Sequence, residues 1–404
     1  MQISRSSNLF KHLLNLNSVD WRALLKRLIT FIPDFYWNKK GTSAALVSIT
    51  LEVTYRCNLK CDFCFEKDTV LNQRHDELTL AEIRDLARQA RRHFASFFVT
   101  GGEPFVRKDC TEILETILAT GCRAGVNTNG MLFTKERIDR LVKAGLNFVI
   151  FSINGPHEVH DKVVGIKGAL ARTLENLRYF AQHKGKTKIF VNAVISDNTY
   201  ESIDQVPALL EGIPIDGITF QHESFLTREE VRQHYAVWER RFPGDKTELV
   251  VNVKEGPMPD PERIYEKVRS LQQEAERCGV HIVEKPELSQ AELETWYSEH
   301  FRIRSKCVYP WTETRVKPNG EVALCPFIPQ VMGNIRNDRL DTILNNDTYR
   351  ALRNGIRDEG GLFPGCARCC KLYRNVSTRV MTKAEIREGE RYVPLPVMAM
   401  EGHG

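Results

Sequence analysis

Residues 47–65 read V-S-I-T-L-E-V-T-Y-R-C-N-L-K-C-D-F-C-F. An apolar, β-branched run ends in a loop carrying Cys57, Cys61 and Cys64, the pattern of a buried strand that delivers three thiols to its C-terminal end. Iron–sulfur clusters are normally held by four cysteine thiolates. Three thiolates with no fourth beside them can hold three irons of a cubane and leave one iron open. An electron carrier has no use for an open iron, whereas a small-molecule ligand does. The alternative is structural zinc, which wants four N/S ligands in a tetrahedron and would have to enlist His75.

The stretch from Val47 to Phe65 resembles the radical S-adenosylmethionine (radical SAM) enzymes, whose signature is C-x3-C-x-aromatic-C, with Phe63 in the aromatic slot. The resemblance implies that the open iron chelates the amino and carboxylate groups of S-adenosylmethionine. It also implies that an electron from the cluster cleaves the sulfonium, and that the 5′-deoxyadenosyl radical so formed abstracts hydrogen from a substrate.

A chain of 404 residues exceeds the size at which single cores stop growing, so two domains with short appendages are expected. Most of the eleven cysteines cluster in motifs on a long chain, and its opening residues are not read as a signal peptide. That pattern predicts metal ligation in a reducing cytoplasm and argues against a disulfide scaffold. The formal charge is +5, and residues 1–45 carry that whole excess through Arg5, Lys11, Arg22, Lys26, Arg27, Lys39 and Lys40 against Asp20 and Asp34. With the rest of the chain neutral, no broad basic surface is left for nucleic acid. No apolar run approaches bilayer length.

From residue 46 to about 225, short apolar runs alternate with amphipathic stretches, the βα pattern of a parallel sheet covered by helices. Strands are predicted at Leu46–Tyr55, Ala95–Thr100, Arg123–Thr128, Phe148–Ile153, Lys188–Ile195 and Gly217–Gln221. Helices are predicted at Leu80–Arg92, with Thr79 and Glu82 forming a capping box, and at Ala169–Gln182. Six right-handed βα units curl into an α/β partial (βα)6 TIM-like barrel with its site at the C-terminal strand ends, the fold that the resemblance also implies. Residues 226–300 read as a connector on the barrel side, with strands at Glu248–Val253 and Val280–Val283 and a helix at Pro261–Cys278.

Further motifs follow the strand ends. Gly101-Gly102-Glu103-Pro104 is ordinary turn chemistry alone, but here it resembles the family's G-G-E-P motif, which holds the amino group of S-adenosylmethionine. Asn127-Thr128-Asn129-Gly130 is similar to the family's T-N-G strand end, giving Asn129 as a cofactor contact. In Phe151-Ser152-Ile153-Asn154-Gly155, Ser152 and Asn154 share one face; the resemblance turns that face to the ribose and carboxylate of the cosubstrate, with Asn154 replacing the commoner Asp. The alternative is an Asn-Gly turn after a buried strand. His160, Asp161, Gly165 and Gly168 match the family's H-D-x3-G-x2-G loop. Asn192 and Val194, on the fifth strand, are the implied adenine contacts, against a plain core role for Val194.

Cys307, then Gly320-x4-Cys325, then Cys366-x2-Cys369, resembles the small C-terminal auxiliary-cluster domain called Twitch, a truncated SPASM domain, over residues 301–375. Four thiolates complete one auxiliary [4Fe-4S] cluster. Cys370 rivals Cys369 as the last ligand, and a zinc ribbon is the alternative. Cys110, Cys122 and Cys278 are read as plain buried residues. Val19–Phe35 forms a basic amphipathic helix in the N-terminal segment, suited either to a membrane surface or to capping the barrel. Residues 376–404 form a tail.

These readings together predict a radical SAM enzyme that abstracts hydrogen from a small-molecule or lipid-linked substrate. A reduced flavodoxin or ferredoxin is expected as its electron donor, and its location is cytoplasmic or peripheral to the inner face of the membrane. The alternatives are a SPASM-type peptide or protein maturase and, from another class, a non-catalytic iron–sulfur electron carrier. No catalytic side chain is assigned. Glu223, just past the sixth strand, is a candidate proton donor or simply solvated.

Overall fold

The computed structural model describes residues 29, 34–35, 38–66, 76–256, 258–299, 301–369, 371–372 and 379–380. Most of the Val19–Phe35 helix, His75, Cys370 and nearly all of the tail from 376 lie outside the described residues.

Six parallel strands appear where the apolar runs place them: β1 Ser48–Glu52, β2 Ser96–Thr100, β3 Ala124–Thr128, β4 Phe148–Ser152, β5 Lys188–Ile195 and β6 Gly217–His222. They pair in sequence order, with Ser48 opposite Ser96, Gly125 opposite Phe148 and Phe190 opposite Gly217. Alternation sets the layers. In β1, Ile49 and Leu51 are buried under the crossover helices, while Thr50 and Glu52 are buried on the other face of the sheet.

The crossovers are helices α1 Leu80–Arg91, α2 Cys110–Ala119, α3 Lys135–Lys143, α4 His157–Val164 and α5 Ala169–His183. The Thr79–Glu82 capping box is present, and Ile83, Leu86, Ala87 and Ala90 form the buried stripe of α1. At α5 the signal lies upstream of the helix. The Asp161 carboxylate accepts from Gly168 N at 2.5 Å and Leu170 N at 3.0 Å, so it caps the start of α5 from the end of α4. Gly165 ends α4 at φ 76°, a left-handed position that glycine adopts without strain.

The sheet is wider than six strands. β7 Phe225–Thr227 and β8 Asn252–Lys254 form a separate two-stranded parallel pair. The segment read as a connector also supplies β9 Ile282–Lys285, which adds in parallel to β6. The short strand β10 Ile303–Arg304 pairs with β14 Arg379–Val380. At the other edge, β11 Glu313–Val316 lies parallel to β1, and β12 Glu321–Ala323 and β13 Val331–Asn334 continue antiparallel. The order is β13-β12-β11-β1-β2-β3-β4-β5-β6-β9, ten strands among the described residues. The C-terminal cysteine segment is thus grafted onto the barrel through β1 itself.

Three more helices complete the frame: α6 Arg228–Arg241, α7 Pro261–Cys278 and α8 Gln290–Trp296. Cys278 closes α7 and is only half-buried, a correction to its reading as a core residue; Cys110 and Cys122 are buried as expected. A last long helix, α9 Asp347–Asp358, packs near Phe35, whose ring meets Trp311 edge-on at 5.0 Å. Arg357 of α9 donates to the Phe35 carbonyl at 3.1 Å. Of the basic amphipathic segment, the one other described apolar side chain, Ile29, is 63% exposed. Among the described residues no helix is long and apolar enough to cross a membrane.

Candidate iron–sulfur active site

The loop after β1 carries Cys57, Cys61 and Cys64 over a cavity of about 260 Å³, close to the lower end of small-molecule sites. Every residue singled out as a cofactor contact lines this one cavity: Phe63, Gly101, Gly102, Glu103, Asn129, Ser152, Asn154, Asn192 and Val194. They come from the ends of β2, β3 and β4, from β5 and from the cysteine loop, as a barrel with its site at the C-terminal strand ends requires. Glu66, Asp62, Lys60 and His160 also line it.

The two glycines of G-G-E-P serve the cysteine loop. A Cβ on Gly101 would lie 2.2 Å from the Thr54 carbonyl oxygen, and one on Gly102 would lie 2.5 Å from that of Arg56. Gly102 N donates to Thr54 O and Glu103 N to Arg56 O, both at 2.9 Å. The backbone that the glycines approach closely is therefore the segment leading into Cys57.

Glu103 is 1% exposed and its carboxylate accepts three hydrogen bonds. Oε1 accepts from Phe105 N at 3.1 Å and Thr128 Oγ1 at 2.8 Å, and Oε2 accepts from Asn129 N at 2.8 Å. Burial pushes its pKa up to about 7, against the pull of these three donors. The side chain ties the end of β2 to the end of β3. Asn129 in turn donates to Asn58 Oδ1 at 2.9 Å, which carries the connection back to the cysteine loop.

Asn154 is 2% exposed, and its Oδ1 accepts from Val194 N at 3.0 Å. Its own N–H donates to His160 Nδ1 at 3.1 Å. Burial lowers the His160 pKa to about 4, which keeps the ring neutral and able to accept. The family's H-D loop is here a structural knot, with His160 holding the β4 turn and Asp161 holding α5.

The cysteine loop is pinned from several sides. Lys60 N and Asp62 N donate to the Val164 and Val163 carbonyls at 3.2 and 3.0 Å. Asn252 of β8 donates to Phe63 O at 2.9 Å. Arg315 of β11 is wedged between Glu52 and Glu66, and burial pushes the Glu66 pKa up to about 7. Neither Asn252 nor Arg315 was found from the sequence. Glu66 was within reach, standing two residues after Cys64 on a loop already assigned to the site.

Glu223 is not solvated, which corrects one of its two readings. It is 7% exposed, pairs with Lys254 at 2.9 Å and accepts from Asn252 Nδ2 at 3.0 Å. Burial raises its pKa, partly offset by Lys254.

The donor set suits an iron–sulfur cluster. Burial raises the Cys57 and Cys61 thiols, Cys61 to about 12, and Cys61 is pushed up further by Cys64 and Cys57 beside it. Such mutual repulsion among thiols is what a bound cation reverses, since metal ligation deprotonates them. Among the described residues no three His, Cys, Asp or Glu close around a point that a single ion would take. A cluster does not ask that of them, because each thiolate holds a different iron.

In the C-terminal segment, Cys307, Cys325 and Cys366 sit within electrostatic reach of one another. Cys307 is raised by burial, then by Cys366 and Cys325, and Cys366 is raised to about 12 by burial and Cys325. Cys369 follows on the next turn, with its Sγ accepting from Lys371 N at 3.4 Å.

Three thiols lining a small-molecule cavity at the mouth of a parallel barrel, with a second cysteine group in the segment that extends the same sheet, define an iron–sulfur enzyme of the S-adenosylmethionine class. Residues 51–209 match the Radical SAM superfamily and residues 307–370 match the SPASM iron–sulfur cluster-binding domain, and the chain belongs to the radical SAM enzymes that carry that domain. Membership brings S-adenosylmethionine, the [4Fe-4S] cluster that binds it, and auxiliary iron–sulfur ligation.

Among curated relatives, Fe-coproporphyrin III synthase of Methanosarcina barkeri is 35% identical over 49% of this chain and 47% of that protein. PqqA peptide cyclase of Bradyrhizobium diazoefficiens is 29% identical over 41% of this chain and 42% of that protein. The chain thus spans under half the length of these two. AdoMet-dependent heme synthase of M. barkeri is 26% identical over 76% of this chain and 84% of that protein. The crystal structure of Streptococcus suis SuiB bound to S-adenosylmethionine shares the fold, with TM-score 0.58 and 17% identity over 78% of this chain and 69% of that one.

Proposed function

We propose that the chain is a radical SAM–SPASM enzyme that matures a peptide or protein. In this reading Cys57, Cys61 and Cys64 hold the cluster that binds S-adenosylmethionine, and Cys307, Cys325, Cys366 and Cys369 hold an auxiliary [4Fe-4S] cluster. The observation that carries it is three thiols opening onto one cavity walled by strand ends and the G-G-E-P turn.

When bound, the cofactors supply one-electron cleavage of the sulfonium and abstraction of a substrate hydrogen. The residues of this chain bind and orient. The Glu103 carboxylate already accepts from Thr128 and two amides, so we assign the amino group of S-adenosylmethionine to the main chain of Gly101 and Gly102 together with the acceptor position left on Glu103 Oε2. Asn154 spends its oxygen on Val194 N, which leaves its amide NH2 to donate, alongside Ser152, toward ribose and carboxylate. Phe63, Asn129, Asn192 and Val194 complete the walls. A reduced flavodoxin- or ferredoxin-type protein is the proposed electron source.

For the substrate, the similarity to PqqA peptide cyclase and to the subtilosin biosynthesis protein AlbA of Bacillus subtilis, 32% identical over 36% of this chain and 32% of that protein, favours a peptide over a lipid-linked molecule. A second reading, a tetrapyrrole substrate, is favoured by the breadth of the match to the heme synthase.

Anaerobically reconstituted full chain with dithionite and S-adenosylmethionine is expected to release 5′-deoxyadenosine, and the triple variant C57A/C61A/C64A is expected to release none. Absence of this product from protein with full clusters would remove the radical reading. A mass change in a candidate precursor peptide encoded beside the gene supports maturation. Turnover of an iron porphyrin with no change in the peptide transfers the assignment to the second reading.

A further inference from the structure

In Cys366-Ala367-Arg368-Cys369 the third residue is an arginine with no exposed surface, held at φ 51°. Its guanidinium Nε donates to the Trp296 carbonyl at 2.8 Å and Nη2 to the Ser298 carbonyl at 2.6 Å. Nη1 meets both carboxylate oxygens of Glu230 at 2.6 and 2.5 Å. The cation also lies over the rings of Phe225 and Phe301, 4.4 Å from each centroid.

The carboxylate partner sits on α6, and the two carbonyl partners lie at the end of α8 and just beyond it. Glu230 is the third residue of α6 and also closes that helix's capping box by accepting from Thr227 N at 2.8 Å. One turn further, the buried His234 accepts from Gly365 N at 3.3 Å through Nδ1, and a Cβ on Gly365 would lie 2.9 Å from that nitrogen. Residues four apart on a helix share a face. Glu230 and His234 thereby hold the backbone on both sides of Cys366.

A buried ion pair is a poor source of net stability, and well-packed apolar residues of the same volume often do as well. A non-glycine residue in the left-handed region adds backbone strain. What this arrangement supplies is direction: the planar fork fixes the turn against two carbonyls and a carboxylate at once, which a lysine cannot reproduce.

We infer that Arg368, docked on Glu230, is a positioning residue for the auxiliary cluster: it sets the turn that aims Cys366 and Cys369 at a common iron–sulfur group. The inference rests on the proposed reading of Cys307, Cys325, Cys366 and Cys369 as the ligands of that cluster. It assigns to α6, outside the matched domain segments, a role in building the second site.

The test uses the full chain with C57A/C61A/C64A, so that only the auxiliary site can take a cluster. The parent is expected to hold about four iron atoms per chain after reconstitution. Arg368→Met, and the paired variant E230L/R368M, which leaves no orphaned buried charge, are expected to lose at least half of that iron or to show a shifted electron paramagnetic resonance signal. Arg368→Lys should fall between. The same substitutions with the first three cysteines intact should leave the iron of the first site in place.

If the paired variant folds as the parent does and keeps the parent's iron and spectrum, the inference is overturned. If both variants aggregate before iron is added while the parent stays soluble, the pair serves the fold of the apo chain and the positioning role is equally overturned. A parent that takes up no iron removes the auxiliary reading itself, an outcome distinct from either.

Discussion

Truncating Glu103 should loosen the cysteine loop through the hydrogen bonds it anchors. Glu103→Ala leaves Phe105 N, Asn129 N and Thr128 Oγ1 without their acceptor in a site with almost no exposure. At about 1–3 kcal/mol for each buried orphan, and with some relaxation, the local cost is about 3–6 kcal/mol. Glu103→Gln is milder. Whichever oxygen the amide nitrogen replaces, one backbone N–H faces a donor, so about 1–3 kcal/mol is lost. The two variants also separate on pH. Protonating Glu103 preserves all three contacts, since the new hydroxyl can donate to Thr128 Oγ1 while the amides keep their lone pairs. The raised pKa therefore reflects burial. The folded state keeps a proton that the unfolded chain has lost between pH 4.5 and about 7, so stability falls as pH rises through that window. A rise from 4.5 to about 7 is worth about 3 kcal/mol in all. Native-state hydrogen exchange of the Phe105 and Asn129 amides reads this local opening directly. Exchange at neutral pH should quicken about a hundredfold or more in Glu103→Ala, and the pH 5–7 slope should flatten in Glu103→Gln. Unchanged exchange in the first variant together with an unchanged slope in the second would refute the account of Glu103 as the tie between β2 and β3.

Gly102→Ala puts a methyl group 2.5 Å from Arg56 O and 2.6 Å from Tyr55 O, a clash between backbones worth about 1–3 kcal/mol; iron bound at the first site should fall while iron at the auxiliary site stays, as counted in variants lacking the other cysteine group. Asn252→Ala frees the Phe63 carbonyl and one side of Glu223, at about 1–3 kcal/mol, and faster exchange should be confined to residues 61–66 and the β7–β8 pair; an unaffected cysteine loop would show that the Asn252 contact does not hold it. His160 has its pKa lowered to about 4 by burial, so it supplies stability that is fully present above pH 6.5 and is lost as pH falls toward 4, when the unfolded chain takes up a proton and the folded ring does not. His160→Gln should remove about 3 kcal/mol of that acid sensitivity, visible as a flatter fall in denaturation midpoint between pH 6.5 and 4.5.

The barrel was legible because its strands are short apolar runs, each ending in a motif. β1 announces itself by Ile49 and Leu51 and then by the thiols, and the nine cofactor positions, Phe63 from the cysteine loop and the others from strands and their ends, line one cavity. β9, expected at Val280–Val283, stands two residues later at Ile282–Lys285, with none of its four residues fully buried. β11 was hidden for a physical reason: it carries Glu313 and Arg315, which the hydrophobic pattern reads as loop. Buried charges here are satisfied by partners remote in the chain: Arg315 by Glu52 and Glu66, Glu223 by Lys254, Arg368 by Glu230. Apolar periodicity is a local property and can be read one element at a time. Pairing between buried charges depends on which elements become neighbours, and that is decided only when β11 docks on β1, β8 pairs with β7, and α6 packs on the turn at Cys366. The same distinction explains Glu103 and Asn154. Their positions at strand ends were readable, but their commitment to Thr128 and to Val194 N was not, because each partner belongs to the next strand. A side chain at a strand end that spends acceptors on the neighbouring strand shapes the cavity and has fewer left for a ligand: Glu103 Oε1 takes two donors and Oε2 one. The backbone of the G-G-E-P turn is therefore to be tested against S-adenosylmethionine beside the one acceptor position left on Oε2.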